Sequence, residues 1–244
     1  MRIDFHSHIL PNMDDGSSGI DESLKLLQML ADQNVENVIL TSHFYRQNEN
    51  IEKFISRREQ AYAKLKEAVD DNNNYPETLL GAEVYFYPSL SSDPDFHRLC
   101  IENTDYILLE LPFEHFHDNF YSSFAKFINN CEHKIILAHI ERYLNFGNSI
   151  DDILRLFDYG DFICQMNCTS LATAGFIKRR VLSKMINSGL ISVIGTDTHN
   201  TSSRPPMYDK AEKVIIKKCG KDNFDRICKN SELILSDCKL SDVK

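Results

Sequence analysis

Six short apolar runs in this chain stop at a histidine or a carboxylate, the first before residue ten. Residues 3–5 lead into His6 and His8, 38–40 into His43, and 79–80 into Glu83. Residues 107–109 lead into Glu110, 135–137 into His139, and 191–194 into Asp197 and His199. A single histidine at the end of a strand means little. Six strands that deliver donors at the same end describe the mouth of a β/α barrel, a fold that assembles its chemistry at the carboxyl ends of its strands.

The rest of the chain supports that architecture. Short β-branched runs alternate with longer helical patterns, the signature of βα units and a parallel sheet. After the first strand, residues 11–19 form a loop rich in Gly, Ser and Asp, followed by a helix with Ile20, Leu24, Leu27 and Leu30 on one stripe. Residues 51–69 read as a long charged helix closed by the turn cluster 70–76. Further strands are predicted near 78–86, 106–111, 134–139, 162–166 and 191–195, with helices around 95–100, 119–130, 149–157 and 176–187. The tail from Tyr208 carries two more helical patterns. The expectation is one α/β domain spanning 1–244, with about seven strands.

Composition narrows the partners. A formal charge of −9 argues against sequence-independent binding to nucleic acid, which needs a basic face. It leaves an anionic substrate open, because bound cations reverse the local field. The N-terminus shows no signal-like apolar stretch, and no run approaches the roughly 18 apolar residues of a membrane span. Seven irregularly spaced cysteines read as reduced thiols, so the expected location is the cytoplasm. Cys164 and Cys168 lack a second pair and read as packing residues.

His-x-His on a strand places His6 and His8 on one face, where they can share a cation. Asp14 and Asp15 add carboxylates from the following loop, and Asp197-Thr198-His199 repeats the period-two spacing. Glu110 ends an apolar run just before Pro112, a poor place for an unpaired buried charge. The mixed His/Asp/Glu set suits Mn²⁺, Fe²⁺ or Zn²⁺ better than Ca²⁺. Nine donors (His6, His8, Asp15, His43, Glu83, Glu110, His139, Asp197 and His199) are enough for three such ions if one carboxylate bridges.

These segments resemble the polymerase-and-histidinol-phosphatase (PHP) superfamily, and within it the bacterial capsule-locus protein-tyrosine phosphatases of the CpsB/CapC/YwqE type. The resemblance is carried by Asp4-Phe5-His6-Ser7-His8-Ile9-Leu10-Pro11 with Asp14-Asp15-Gly16, by Thr41-Ser42-His43, by Gly81-Ala82-Glu83-Val84-Tyr85 and by Leu109-Glu110-Leu111-Pro112. It continues through Leu137-Ala138-His139-Ile140-Glu141-Arg142-Tyr143 and Gly195-Thr196-Asp197-Thr198-His199-Asn200 to Arg204-Pro205-Pro206. It implies a distorted seven-stranded (β/α) barrel and a site for three divalent transition-metal ions (Mn, Fe or Zn). One ion would take His6, His8, Glu83 and Asp197; a second Glu83, Glu110 and His139; a third Asp15, His43 and His199.

Arg142 and Arg204 match the arginines that the family places on phosphate, and Asp197 or His199 is a candidate for proton transfer. The implied reaction is hydrolysis of phosphotyrosine on a protein, the implied partner a tyrosine autokinase controlling capsular polysaccharide export. Water activated by the ions would attack phosphorus in line, and tyrosinate, with a parent pKa of about 10, needs little acid help to leave.

Rival readings have their own markers. A cysteine-nucleophile phosphatase needs an arginine six residues after the cysteine, but Leu137 follows Cys131 at that spacing and Ala174 follows Cys168. A small-molecule phosphatase, such as one for histidinol phosphate, would share the metals and differ at the rim. An amidohydrolase would carry a modified lysine where Glu83 and Glu110 stand, and a silent phosphotyrosine-binding module would have lost donors. Outside the cluster, His115 and His117 are candidates for substrate contact, and Tyr85, Phe86 and Tyr87 for an aromatic wall. His97 and His133 read as solvated.

Overall fold

The computed structural model describes residues 1–69 and 74–243, so most of the turn expected over 70–76 lies outside the described residues. The chain runs β1 (Ile3–Ser7), α1 (Ile20–Ala31), β2 (Asn37–Leu40), β3 (His43–Phe44), α2 (Ile51–Ala68), β4 (Glu77–Leu80), β5 (Glu83–Tyr85) and β6 (Tyr106–Glu110). It continues with α3 (Asp118–Asn130), β7 (Lys134–Leu137), α4 (Ile150–Arg155), β8 (Ile163–Asn167), α5 (Cys168–Thr173), α6 (Phe176–Asn187) and β9 (Ile191–Gly195). Helices α7 (Tyr208–Cys219) and α8 (Lys221–Leu235) follow.

All the strand pairs are parallel, as alternating βα units require. They form two sheets rather than one seven-stranded ring: β1-β2-β4, and β3-β5-β6-β7-β8-β9. The expected count of seven is corrected to nine described strands because two of the seven apolar runs are each broken in two. Between β2 and β3, the Thr41 hydroxyl accepts from the Ser7 N–H (3.0 Å), a side-chain contact where a ladder bond would run. Between β4 and β5, the Glu83 N–H is shared by the carbonyls of Thr41 and Ser42 (3.1 and 3.2 Å).

The end of β1 nevertheless reaches the segment after β9. Asp197 N–H donates to the His6 carbonyl (2.7 Å), His8 N–H donates to the Thr198 carbonyl (2.9 Å), and Ser7 bridges Thr198 in parallel. Gly195 permits this approach, since a Cβ there would stand 2.5 Å from the Cβ of His6.

Burial follows the pleat. Tyr106 and Leu108 belong to a small buried cluster with Ile3, Phe5, Ile39 and Ile136, and the same face of β6 ends in Glu110. The larger core, including Leu27, Phe54, Phe124 and Leu182, joins helices to strands. Residues 95–100, expected as a helix, make only a 3-10 turn over Phe96–Leu99. Phe86 packs against Phe120, Phe124 and Phe127, which removes it from the expected aromatic wall.

Candidate metal centre

All nine candidate donors lie in one contiguous cluster at or just beyond the carboxyl ends of β1, β6, β7 and β9 and around β3 and β5. Glu83 is its hub. Its Oε1 lies 2.8 Å from His139 Nε2, and its Oε2 lies 3.1 Å from His6 Nε2, 3.2 Å from His8 Nε2 and 3.0 Å from His43 Nδ1. Glu110 Oε1 is 3.3 Å from His139 Nε2. Asp197 Oδ1 stands 3.5–3.6 Å from nitrogens of His6, His8 and His199, and Asp15 Oδ1 stands 3.5 Å from His43 and His199.

Two donors are aimed by unusual backbone. His139 (φ 31°) and Asp197 (φ 53°) are left-handed although neither is glycine, a costly conformation that surrounding structure must hold in place. Each is the residue at which the chain turns off its strand into the cluster. Gly16 lets the loop after β1 close over His8, because a Cβ there would meet the His8 carbonyl at 2.2 Å.

The contacts fit cations better than hydrogen bonds. His6 Nε2 and His8 Nε2 face each other at 3.1 Å, and only one nitrogen of a neutral pair can donate. Three imidazoles stand within ion-pair distance of Glu83 Oε2, yet none aims an N–H along its lone pairs, so that buried oxygen has no hydrogen bond. His199 Nε2 is buried and unpartnered in the same way. Such groups are satisfied when lone pairs converge on an ion. Donor atoms lie within 4.8 Å of one another in three sets: His8, Asp15, His43 and His199; His6, His8 and Glu83; and His43, Glu83 and Glu110. His8 and His43 therefore each stand between two sets, a grouping that differs from the one the resemblance implies.

Without cations the cluster attracts protons. Burial pushes the Glu83 and Asp197 carboxyls up, but the surrounding imidazoles outweigh it and hold both well below the usual carboxylate range. Burial disfavours charge on His139, yet hydrogen bonds to Glu110 and Glu83 raise it to about 9. His199 goes the other way: burial, then the charges of His8 and Arg204, lower it to about 4 and leave a neutral imidazole.

Other residues organise the cluster; Asp14 was noted from sequence as a nearby carboxylate, while Gln165 and Asn167 were not singled out. Asp14 Oδ2 accepts from His8 Nδ1 (2.8 Å) and from the His43 N–H (2.9 Å), fixing which nitrogen of His8 faces inward. Strand β8, which supplies no candidate donor, carries Gln165 and Asn167. Gln165 Oε1 accepts the His139 N–H (2.7 Å) and lies 3.3 Å from His6 Nδ1, while its amide donates to Asn167 Oδ1 (2.9 Å). Asn167 in turn donates to Asp197 Oδ2 (2.7 Å). Their signal was present: two polar residues at period-two spacing inside the apolar run Ile163, Cys164 and Met166.

Above the buried floor the site opens. His6, His8 and His139 are fully buried, whereas the Arg142 and Arg204 side chains are 34% and 39% exposed. Both guanidinium groups lean on Asp197 Oδ2, Arg204 at 2.8 Å and Arg142 at 3.4 Å. Arg142 also sits over the Phe113 ring (4.6 Å), and Phe113 stacks on His139. Asn200 Oδ1 accepts the N–H groups of Ser202, Ser203 and Arg204, shaping the loop that presents Arg204. Tyr45 and Tyr85 pair at 5.4 Å beside His43, and Tyr45 lines a cleft of about 480 Å³ together with Asp15 and Lys53. His115 and His117 are exposed and pack on each other where α3 begins.

Known proteins resemble this chain over nearly its whole length. A family model described as capsular polysaccharide synthesis, CpsB/CapC, matches residues 2–236. The chain belongs to the CpsB/CapC family. Among its curated relatives, the tyrosine-protein phosphatase CpsB of Streptococcus pneumoniae is 29% identical over 231 residues, 89% of this chain and 91% of that protein. The tyrosine-protein phosphatase YwqE of Bacillus subtilis (strain 168) is 26% identical over 248 residues, 96% and 91% of the two chains. A crystal structure from work on YwqE and S. pneumoniae CpsB, described there as unique metal-dependent tyrosine phosphatases, superposes with a TM-score of 0.79 at 23% identity. It covers 97% of this chain and 95% of that one, so this CpsB/CapC chain shares its α/β fold.

Proposed function

We propose that this protein is a metal-dependent protein-tyrosine phosphatase acting on a phosphotyrosine-containing protein of capsular polysaccharide synthesis, a bacterial tyrosine autokinase. The observation that carries the reading is the meeting of nine nitrogen and oxygen donors under two half-exposed arginines. In this reading the nine donors hold three divalent transition-metal ions, Mn, Fe or Zn. Glu83 would be the carboxylate shared between ions, since its two oxygens face different imidazoles. The two parallel sheets act together as a distorted barrel whose mouth is the site, and the protein works in the cytoplasm as one domain.

Ions held there acidify water towards neutral pH and offset phosphate charge. The protein's own residues do the rest. Arg142 and Arg204 take two non-bridging phosphate oxygens through their planar forks, released from Asp197 as the substrate enters. Phe113 keeps the Arg142 guanidinium in place through its ring face. His199 is held neutral, with Nδ1 on the Asp197 carbonyl, so that its unpartnered Nε2 is free to serve as a metal donor. Asn167 fixes the Asp197 carboxylate in place as the two guanidinium groups leave it for the phosphate. Tyr45 and Tyr85 supply the aromatic border for the phosphotyrosine ring.

Cys164 and Cys168 take no part: both are fully buried, and burial pushes the Cys168 thiol well up, away from a nucleophilic thiolate. Parallel assays on a phosphotyrosyl peptide and on histidinol phosphate, with chelator and with added Mn²⁺, test the proposal. Metal-dependent release of phosphate from the peptide, unaffected by Cys168→Ser, is expected. Turnover of histidinol phosphate alone would move the protein to the small-molecule phosphatases.

A further inference from the structure

A second group of metal-type donors lies at the other end of the same strands. Cys100 ends the 3-10 turn before β6, Asp105 immediately precedes β6, and His133 immediately precedes β7. One donor atom from each lies within 4.8 Å of the others. Cys100 Sγ is 3.8 Å from His133 Nδ1, and that nitrogen is 2.5 Å from Asp105 Oδ1.

We propose that Cys100, Asp105 and His133 form a separate site for one soft divalent cation, Zn²⁺ by its ligand chemistry, with water as the fourth ligand. Tetrahedral zinc with Zn–S of about 2.3 Å and Zn–N of about 2.0–2.1 Å separates sulfur from nitrogen by about 3.6 Å. The observed 3.8 Å is close to that, and Asp105 needs only to swing back from the imidazole to admit the ion. The surroundings hold the donors for this purpose. Phe96 meets the His133 ring edge-on at 5.6 Å, and Asp237 Oδ1 accepts the Asp105 N–H at 2.9 Å. All three residues are partly exposed, so an ion reaches them from solvent. Burial and the nearby Asp105 charge keep the Cys100 thiol protonated in the metal-free protein, so binding releases its proton to solvent.

The site ties together three chain segments: the turn before β6, the start of β6, and the link from α3 to β7. Its ligand set contains sulfur, while the nine-donor cluster offers only nitrogen and oxygen, and that difference makes it separately visible. Titrating the full-length, reduced protein with Co²⁺ should produce a thiolate-to-cobalt charge-transfer band that saturates at one equivalent and is bleached by Zn²⁺. Cys100→Ser should abolish the band, and His133→Asn should weaken it at least tenfold. Cys131→Ser removes the neighbouring thiol and should leave it intact. Absence of the band in the wild type, or its survival in Cys100→Ser, would overturn the proposal. Each variant's fold is checked by its circular dichroism and by retained phosphatase activity, which this pole does not supply.

Discussion

Strands β6 and β7 carry a histidine and a carboxylate at both ends, and the two ends differ in how the pair is housed. At the carboxyl end, Glu110 and His139 lie 3.3 Å apart and are almost fully buried. At the amino end, Asp105 and His133 are in closer contact, 2.5 Å, yet their side chains are 40% and 19% exposed. The buried pair is one edge of a nine-residue network, whereas among the described residues only Cys100 groups with the exposed pair as a donor set within 4.8 Å. Proximity alone therefore does not make a reaction centre. Burial raises the cost of every unmatched charge, and convergence of many donors supplies a place where only a cation relieves it.

The comparison breaks first at Glu83. Glu83→Gln should lower kcat/KM on a phosphotyrosyl peptide by on the order of 10³-fold, since the hub loses its charge while its shape stays. His133→Asn at the opposite end should leave kcat/KM within about twofold. Equal losses from both would erase the distinction between the ends.

Gln165→Leu comes next. Removing the amide that holds His6 and the His139 N–H should weaken binding of the activating metal by about 10–100-fold, measured by titration after chelation. An unchanged affinity would mean that β8 only fills space. Arg204→Lys keeps the charge and loses the fork, so KM for the peptide should rise by roughly tenfold with metal content unaltered.

The smallest effect concerns pH. In chelated protein, His139 has a folded pKa raised to about 9 by its carboxylate partners. Its contribution to stability is then fully present below the unfolded value near 6.5 and is lost as pH rises through about 9. Melting temperature of the chelated protein should fall across that window. Metal binding should tighten across it, because fewer protons are displaced. A melting temperature that rises over the same range would contradict the proton-holding role given to the bare cluster.

The candidate site was more legible than the fold's details. His6, His8, Glu110 and His139 were readable because a charged residue closing an apolar run is rarely accidental, and period two gives its face. The breaks at Thr41-Ser42 and Gly81-Ala82 were not, since two small residues within a stretch of extended chain do not by themselves end a strand. Only the bonding of Thr41 to Ser7, and of Glu83 to the Thr41 and Ser42 carbonyls, interrupts the ladders. His133 was misread as solvated because Asp105 and Cys100 approach it from segments remote in sequence.

By itself the sequence determined which side chains stand at strand ends and that they alternate with helices, because hydropathy and pleat are local properties. The tertiary structure decided the partners: Glu83 as hub, Gln165 and Asn167 as supports, and the left-handed turns at His139 and Asp197. Those depend on distances between segments far apart along the chain, which no local pattern encodes.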